Sequence, residues 1–347
     1  MSESVANVTP DARKPRNYDR IFTLAIVGLA ITIIMLGSWL GYSVYLQNKT
    51  DEASSPAMRA LGELADVARK FPSDAAIRVR YGEALATAGM YDEAMEQLAN
   101  AIKIDPEHGG AYLDMGLVAM AQQKYSDAEG YFEKVIELSE GGQFQDVSDR
   151  REAALYNLGV IANSESRWED AVGFLKGALR IRKDASDTYF HLALAYRGLD
   201  EGDKAIESML VALAFDPNYA EARYELGRLY MDVSNEPSAA VEFRRAVDIA
   251  PNADPVIEVL ASLGPVDDRV ADARKAFKDG NAVSALGFAT IAVAVEPTNV
   301  DALMVYGQAR EDTGDLSGAI IVYRSVLDAD PKNTTAAKAL DRLNAKP

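Results

Sequence analysis

Ala220-Glu-Ala-Arg-Tyr-Glu-Leu-Gly-Arg-Leu-Tyr230, followed by Ala239, Phe243, Ala246 and Pro251, is the stretch on which the fold turns. Its apolar residues recur at three- and four-residue spacing, the mark of an amphipathic helix. Outward from it the same markers return. Small residues at Gly82, Gly116, Gly159, Ala193, Gly227, Ala273 and Gly307 are separated by 34, 43, 34, 34, 46 and 34 positions. An alanine twelve positions after each one recurs at Ala94, Ala128, Ala171, Ala205, Ala239, Ala285 and Ala319. Pro72 to Pro106, Pro217 to Pro251 and Pro297 to Pro331 are each 34 apart. Three independent markers in one register define a repeat, and a fixed period in this range signals a solenoid.

Seven copies follow: 75–108, 109–142, 152–185, 186–219, 220–253, 266–299 and 300–333. Each predicts two helices, as in the spacing of Leu192, Leu194, Ala195, Tyr196 and Leu199. Glycine at the first marker and alanine at the second remove bulk where helices cross. Pairs such as Tyr91-Asp92 and Gly202-Asp203 are expected to make the inner turn, and the prolines to close the second helix. Copies two and three lack the closing proline, and copy six has Ala273 for glycine and Ala289 for the aromatic. One repeat cannot bury its apolar face alone, so end helices are needed. Segment 56–74 reads as a lone second helix with Ala60, Leu64 and Val67 inward, and 334–347 as a cap with Ala337, Leu340 and Leu343 on one side. Two inserts interrupt the register. Residues 143–151 read as a longer loop or an extended helix start, and 254–265, with Val256-Ile-Glu-Val-Leu-Ala-Ser-Leu263 between prolines, as a short packed helix that divides five repeats from two.

The period and its Gly, Tyr, Ala, Phe and Pro markers resemble the tetratricopeptide repeat family over about three quarters of the chain. The resemblance implies an all-α fold: a right-handed α-solenoid of about seven helical hairpins with flanking cap helices. It further implies that the first helices line a concave groove with their second, fifth, ninth and twelfth residues. Those positions hold Leu113, Leu117 and Met120, then Tyr156, Val160 and Asn163, then Asp187, Phe190, Leu194 and Arg197, then Glu221, Tyr224, Arg228 and Met231. Aromatic, Met and Arg side chains are favoured at protein interfaces. The competing reading is that some of them, above all at the ninth position, pack between helices. Copies one, six and seven are more polar there. The carboxylate-gripping Lys and Asn pattern of some relatives is absent, since Val79 and Glu83 stand in its place, and of a recurring groove asparagine only Asn157 fits.

Ahead of the repeats, Ile21 to Asn48 holds no charged residue. An apolar run of this length predicts a transmembrane helix over 21–46, with Trp39, Tyr42 and Tyr45 as an interfacial belt. A cleavable signal peptide fits less well, because the apolar stretch is too long and no small-residue site closes it. Arg13, Lys14, Arg16 and Arg20 precede the run and Lys49 and Arg59 follow, which predicts a cytoplasmic leader over 1–20, a linker over 47–55 and repeats outside the cytoplasm. Gly37 and Gly41 form a GxxxG pattern capable of weak helix pairing.

The chain has 347 residues, 48% hydrophobic and 26% charged, with a formal net charge of −17. Such a surface repels phosphate backbones and disfavours nucleic acid as a partner. There is no cysteine and only His108 and His191, so thiolate chemistry is excluded and a His-rich metal site nearly so. Asp267-Asp268 and Asp328-Ala-Asp330 lack the spacing of a calcium loop, and no Walker loop, GxGxxG or GxSxG is present. The sequence therefore predicts no catalytic residue, metal or cofactor. It predicts a membrane-anchored extracytoplasmic scaffold that binds protein segments, as an assembly- or secretion-associated chaperone or adaptor. The alternative is a permanent structural subunit of a membrane complex, docked through its convex face and inserts.

Overall fold

A computed structural model describes residues 56–140 and 145–345. The expected transmembrane helix over 21–46, its flanks and the Gly37/Gly41 pattern lie outside the described residues. Among the described residues no helix is long and apolar enough to cross a membrane.

Every regular element described is a helix. A first helix, α1 (Pro56–Lys70), precedes three hairpins: α2 (Ala75–Thr87) with α3 (Tyr91–Ile104), α4 (Gly109–Ala121) with α5 (Tyr125–Leu138), and α6 (Gln145–Ser164) with α7 (Trp168–Ile181). Then come α8 (Ser186–Gly198) with α9 (Gly202–Phe215), and α10 (Ala220–Asp232) with α11 (Glu236–Ile249). The single helix α12 (Asp254–Ser262) is followed by α13 (Val266–Lys278) with α14 (Ala282–Val295), α15 (Val300–Asp312) with α16 (Leu316–Ala329), and α17 (Thr334–Asn344). The chain divides into two compact units, one ending at Ile104 and one beginning at Asp105.

The inner turns lie two residues earlier than Tyr91-Asp92 and Gly202-Asp203, which instead open α3 and α9. At the fifteenth position of all seven copies the backbone is left-handed: Gly89, Gln123, Ser166, Asp200, Ser234, Gly280 and Gly314. That geometry ends the first helix by bonding a later amide back across the turn, as in Glu201 N–H to Tyr196 O (2.9 Å) and Asn235 N–H to Tyr230 O (2.8 Å). Four of the seven sites carry a side chain there, so the turn is fixed by capping bonds rather than by glycine alone. The closing prolines stand two residues past α3, α9, α11, α14 and α16.

The glycine marker meets the residue sixteen positions later on the partner helix. A Cβ built on Gly116 would lie 2.4 Å from Phe132, on Gly159 2.5 Å from Leu175, on Gly227 2.5 Å from Phe243 and on Gly307 2.7 Å from Tyr323. Copy six, which departs from the pattern at both places, has Ala273 opposite Ala289 in one core cluster, so a larger marker meets a smaller partner. This pair is small on both sides, unlike the other six, where the residue opposite the marker is Leu, Phe, Met or Tyr.

The inserts are helical where they are described. Residues 145–151 lengthen α6 at its start, and Arg151 ties that extension to α5 by bonds to Ile136 O (3.3 Å) and Ser139 Oγ (3.1 Å). Helix α12 buries Val256 and Leu260 against α11. It does not part the repeats around it: α11 packs directly on α14, and Arg244 donates to the last carbonyls of that helix, Ala294 O (2.6 Å) and Val295 O (2.8 Å). The end helices bury slightly different stripes from those expected. In α1 they are Leu61 and Ala68, with Ala60 and Val67 exposed; in α17 they are Ala336, Ala339, Leu340 and Leu343.

Candidate protein-binding face

The first helices α4, α6, α8 and α10 carry the expected band, and it divides into three kinds of side chain. Leu117 and Met231 are exposed, at 43% and 38%, and Leu113 and Met120 are half-buried. Tyr156, Val160, Leu194 and Tyr224 are half-buried, each presenting part of its surface to solvent. Phe190, by contrast, is 3% exposed and belongs to the core formed with Leu192, Ala193, Leu226 and Leu229, so it supports the face rather than offering contact.

Val160, Leu194 and Arg197 are brought together around a cavity of about 550 Å³, with Asn163, Ser164, Trp168, His191 and Gly198 completing its wall. Trp168 opens α7, and its ring lies so close to Gly198 that a Cβ there would stand 2.3 Å from it. Neither Trp168 nor His191 belonged to the expected set. Trp168 lies on a second helix, outside the positions that the repeat pattern assigns to the face. Asn163 is fixed by donating Nδ2 to His191 O (2.8 Å), while its buried Oδ1 has no partner.

The arginines do not stand as free charges. Arg197 pairs with Glu225 (3.1 Å) and Asp232 (2.8 Å), and Arg228 pairs with Glu225 (2.9 Å) while lying 5.9 Å over the Tyr224 ring. This network knits α8 to α10. A second cavity, about 560 Å³, adjoins it and is lined by Arg197, Asp200, Gly202, Asp203, Leu229, Asp232 and Val233. An apolar recess thus borders an acidic one, with Arg197 in both walls.

His191 is held between aromatic rings, edge-on to Tyr156 (centroids 5.5 Å, 70°) and to Phe190 (5.2 Å, 80°). Burial pushes its pKa below the ordinary 6.5, against an opposing pull from Asp187. The unfolded ring therefore takes up a proton as pH falls through about 6.5, before the folded ring does, and stability present above that value is lost below it. Lowering pH from about 7.5 to about 5.5 is expected to reduce the thermal midpoint more in the native chain than in His191→Phe. Equal slopes in the two proteins would exclude this role. His108, the other histidine, caps α4 by accepting the Ala111 N–H at Nδ1 (3.1 Å).

The face combines an apolar recess, an acidic one, edge-presented rings and paired charges. Among the described residues no group of three or more His, Asp and Glu side chains is placed to hold a metal ion.

Three tetratricopeptide repeat family models match the chain, one over residues 57–109, 189–254 and 268–334, the others over 85–141 and 154–189. The Drosophila melanogaster protein O-mannosyl-transferase Tmtc3 is 25% identical over 162 residues, which is 46% of this chain and 16% of that protein. The BBSome complex member BBS4 homolog of the same organism is 26% identical over 193 residues, 55% of this chain and 36% of that protein. The chain thus spans about a third or less of the length of these curated relatives. Among solved structures, YrrB, described as a TPR protein with an unusual peptide-binding site, superposes at a TM-score of 0.46 with 20% identity over 56% of this chain and 96% of that one. MamA from Desulfovibrio magneticus RS-1 superposes at 0.46 with 21% identity over 52% and 97%. The first of the family models alone spans more than half of the sequence, and the chain belongs to the tetratricopeptide repeat family.

Proposed function

We propose that this chain is a scaffold that holds a segment of another protein along the first helices of its second to fifth repeats. The observation that carries the reading is the cavity walled by Val160, Trp168, His191 and Leu194, with Arg197 at its edge. Half-buried apolar groups around a preformed recess, ringed by oriented charge, are what a partner side chain needs in order to exchange water for contact. The charge-free run 21–48 and the basic leader before it support a membrane-tethered scaffold with its repeats outside the cytoplasm. That placement suits an assembly- or secretion-associated adaptor.

A photocrosslinking residue at position 194 of the full chain, expressed in its own cells, is expected to capture a discrete partner. Val160→Asp should weaken that capture about tenfold or more, since a charge would have to be buried on binding. Helical content should not change. Phe190 is left intact because its substitution would disturb the core.

A second reading rests on the second helices. Val283 on α14 is 76% exposed and Ile321 on α16 64%, large aliphatics on second-helix faces that do not wall the recess. A crosslinker at position 283 that captures a stoichiometric partner, with none captured at 194, would favour a permanent subunit docked through that face and overturn the first reading.

A further inference from the structure

Beside the cavity, and sharing His191 with it, lies a cluster of aromatic groups to which neither the repeat pattern nor the reading above gives a ligand. Tyr156 from α6, Phe190 and His191 from α8, and Tyr219 from the turn before α10 meet in one place. Tyr156 and His191 are 5.5 Å apart, His191 and Phe190 5.2 Å, and Phe190 and Tyr219 5.1 Å. Phe190 closes the back, while Tyr156 and Tyr219 remain half-open to solvent.

The charges around these rings are unbalanced. Glu152 is matched by Arg182 at 2.9 Å. Asp187 and Glu221 are exposed, and among the described residues neither side chain makes a hydrogen bond or an ion pair. Elsewhere on this face acidic groups are answered, as Glu225 is by Arg197 and Arg228. Both unanswered carboxylates act on both tyrosines. Burial is the largest cause in each case and Asp187 the next; Glu221 follows at Tyr219 but is the smallest contribution at Tyr156, behind Glu152. The Tyr156 hydroxyl is pushed up to about 12 and that of Tyr219 is raised as well. Asp216 and Glu152 act in the same direction, and Arg182 alone opposes them.

We infer that the Tyr156–Phe190–His191–Tyr219 cluster, rimmed by Asp187 and Glu221, receives a lysine or arginine side chain of a basic partner segment. An aromatic face attracts a cation through its quadrupole, and the attraction is larger once water is displaced. Two carboxylates without an ion-pair partner, each in the first turn of its helix, supply the opposite charge beside the rings, and a chain of net charge −17 draws a basic segment towards it. The hydrophobic flank of the same segment would enter the neighbouring Val160–Leu194 cavity, with His191 as the shared wall. The inference rests on the proposed binding face and specifies what that face selects.

Two short fluorescein-labelled peptides, one alternating leucine with lysine and one alternating leucine with glutamine, are titrated into the full chain in mild detergent at about 0.15 M salt. The lysine peptide should bind about tenfold or more tightly than the glutamine peptide. Asp187→Asn combined with Glu221→Gln should abolish that preference, the lysine peptide falling to the affinity that the glutamine peptide has for the same variant. Asp267→Asn with Asp268→Asn, which removes the same charge from a different repeat, should preserve the preference. If both peptides bind equally and Leu194→Asp weakens both, the binding face stands and the cation site falls. If the Asp267 and Asp268 variant loses the preference as fully, the effect is bulk charge and the cation site again falls. If neither peptide binds, the binding face and the site fall together.

Discussion

Replacing Phe243 by alanine is expected to cost about 3–5 kcal/mol in the hairpin that contains it. The ring is fully buried and lies against Gly227, whose missing Cβ is what admits it. It also approaches Tyr224 at 5.8 Å, so the cavity left behind would open beneath a residue of the proposed binding face. The converse change, Gly227→Ala, removes a helix-weakening glycine, worth about 0.5–1 kcal/mol. It forces a Cβ to 2.5 Å from the ring, however, and overpacking of this kind costs about 1–3 kcal/mol, so the net effect is destabilising. Joining Gly227→Ala to Phe243→Leu should recover part of the loss, because the two sites share one volume. Repeats contact only their neighbours, so the readout is amide exchange across 220–249 rather than a single global midpoint. A double variant whose cost equals the sum of the single ones would refute the shared-volume account.

The same pairing shows what could be read in the sequence. The period, the two-helix unit and the small markers are legible because each recurs, and recurrence needs no knowledge of contacts. The partner of each marker, sixteen residues on, varies among Leu, Phe, Met, Tyr and Ala, so it leaves no repeated letter. Close approach of a glycine marker to that side chain is what recurs, and copy six, with Ala273 and Ala289 in one core, is the exception in which both residues are small. The inner turn was misplaced for a related reason. Its defining feature is a left-handed backbone, occupied in turn by Gly, Gln, Ser, Asp, Ser, Gly and Gly, and capping bonds to the preceding helix impose it where a side chain is present.

The face was legible by position more than by exposure. Val160, Leu194 and Arg197 do meet around one cavity. Phe190 occupies an equally placed position but turns inward, because hairpins three to five bury it in a shared core. Trp168 could not be found from the repeat pattern, since it reaches the cavity from a second helix over Gly198, and a glycine at that place in only one copy is a weak signal.

Arg223→Met is expected to destabilise the same hairpin by about 3 kcal/mol, the lower end of the range for breaking a buried ion pair. Arg223 is the fourth residue of its copy, and like Arg78 and Arg269 at that place it reaches six residues back to a turn carbonyl: Pro217 O at 3.0 and 2.6 Å, Pro72 O at 2.8 Å and Leu263 O at 2.7 Å. In this copy alone it also grips a buried carboxylate, Glu242, at 2.8 Å, with side-chain exposures of 15% and 9%. Loss of the arginine strands one Glu242 oxygen and the Pro217 carbonyl. Arg245, at 2.5 Å, keeps the second oxygen answered, which is why the cost stays at the lower end. Arg245 is itself largely exposed, so Arg245→Met should cost less than about 1 kcal/mol. Removing both members, as Arg223→Met with Glu242→Leu, leaves no buried charge without a partner and should return most of the stability. Urea titration followed by circular dichroism and by amide exchange in α10 and α11 distinguishes these cases. A double variant as unstable as Arg223→Met alone would mean that the arginine acts through its bonds to the turn, and that the charge on Glu242 was never the issue.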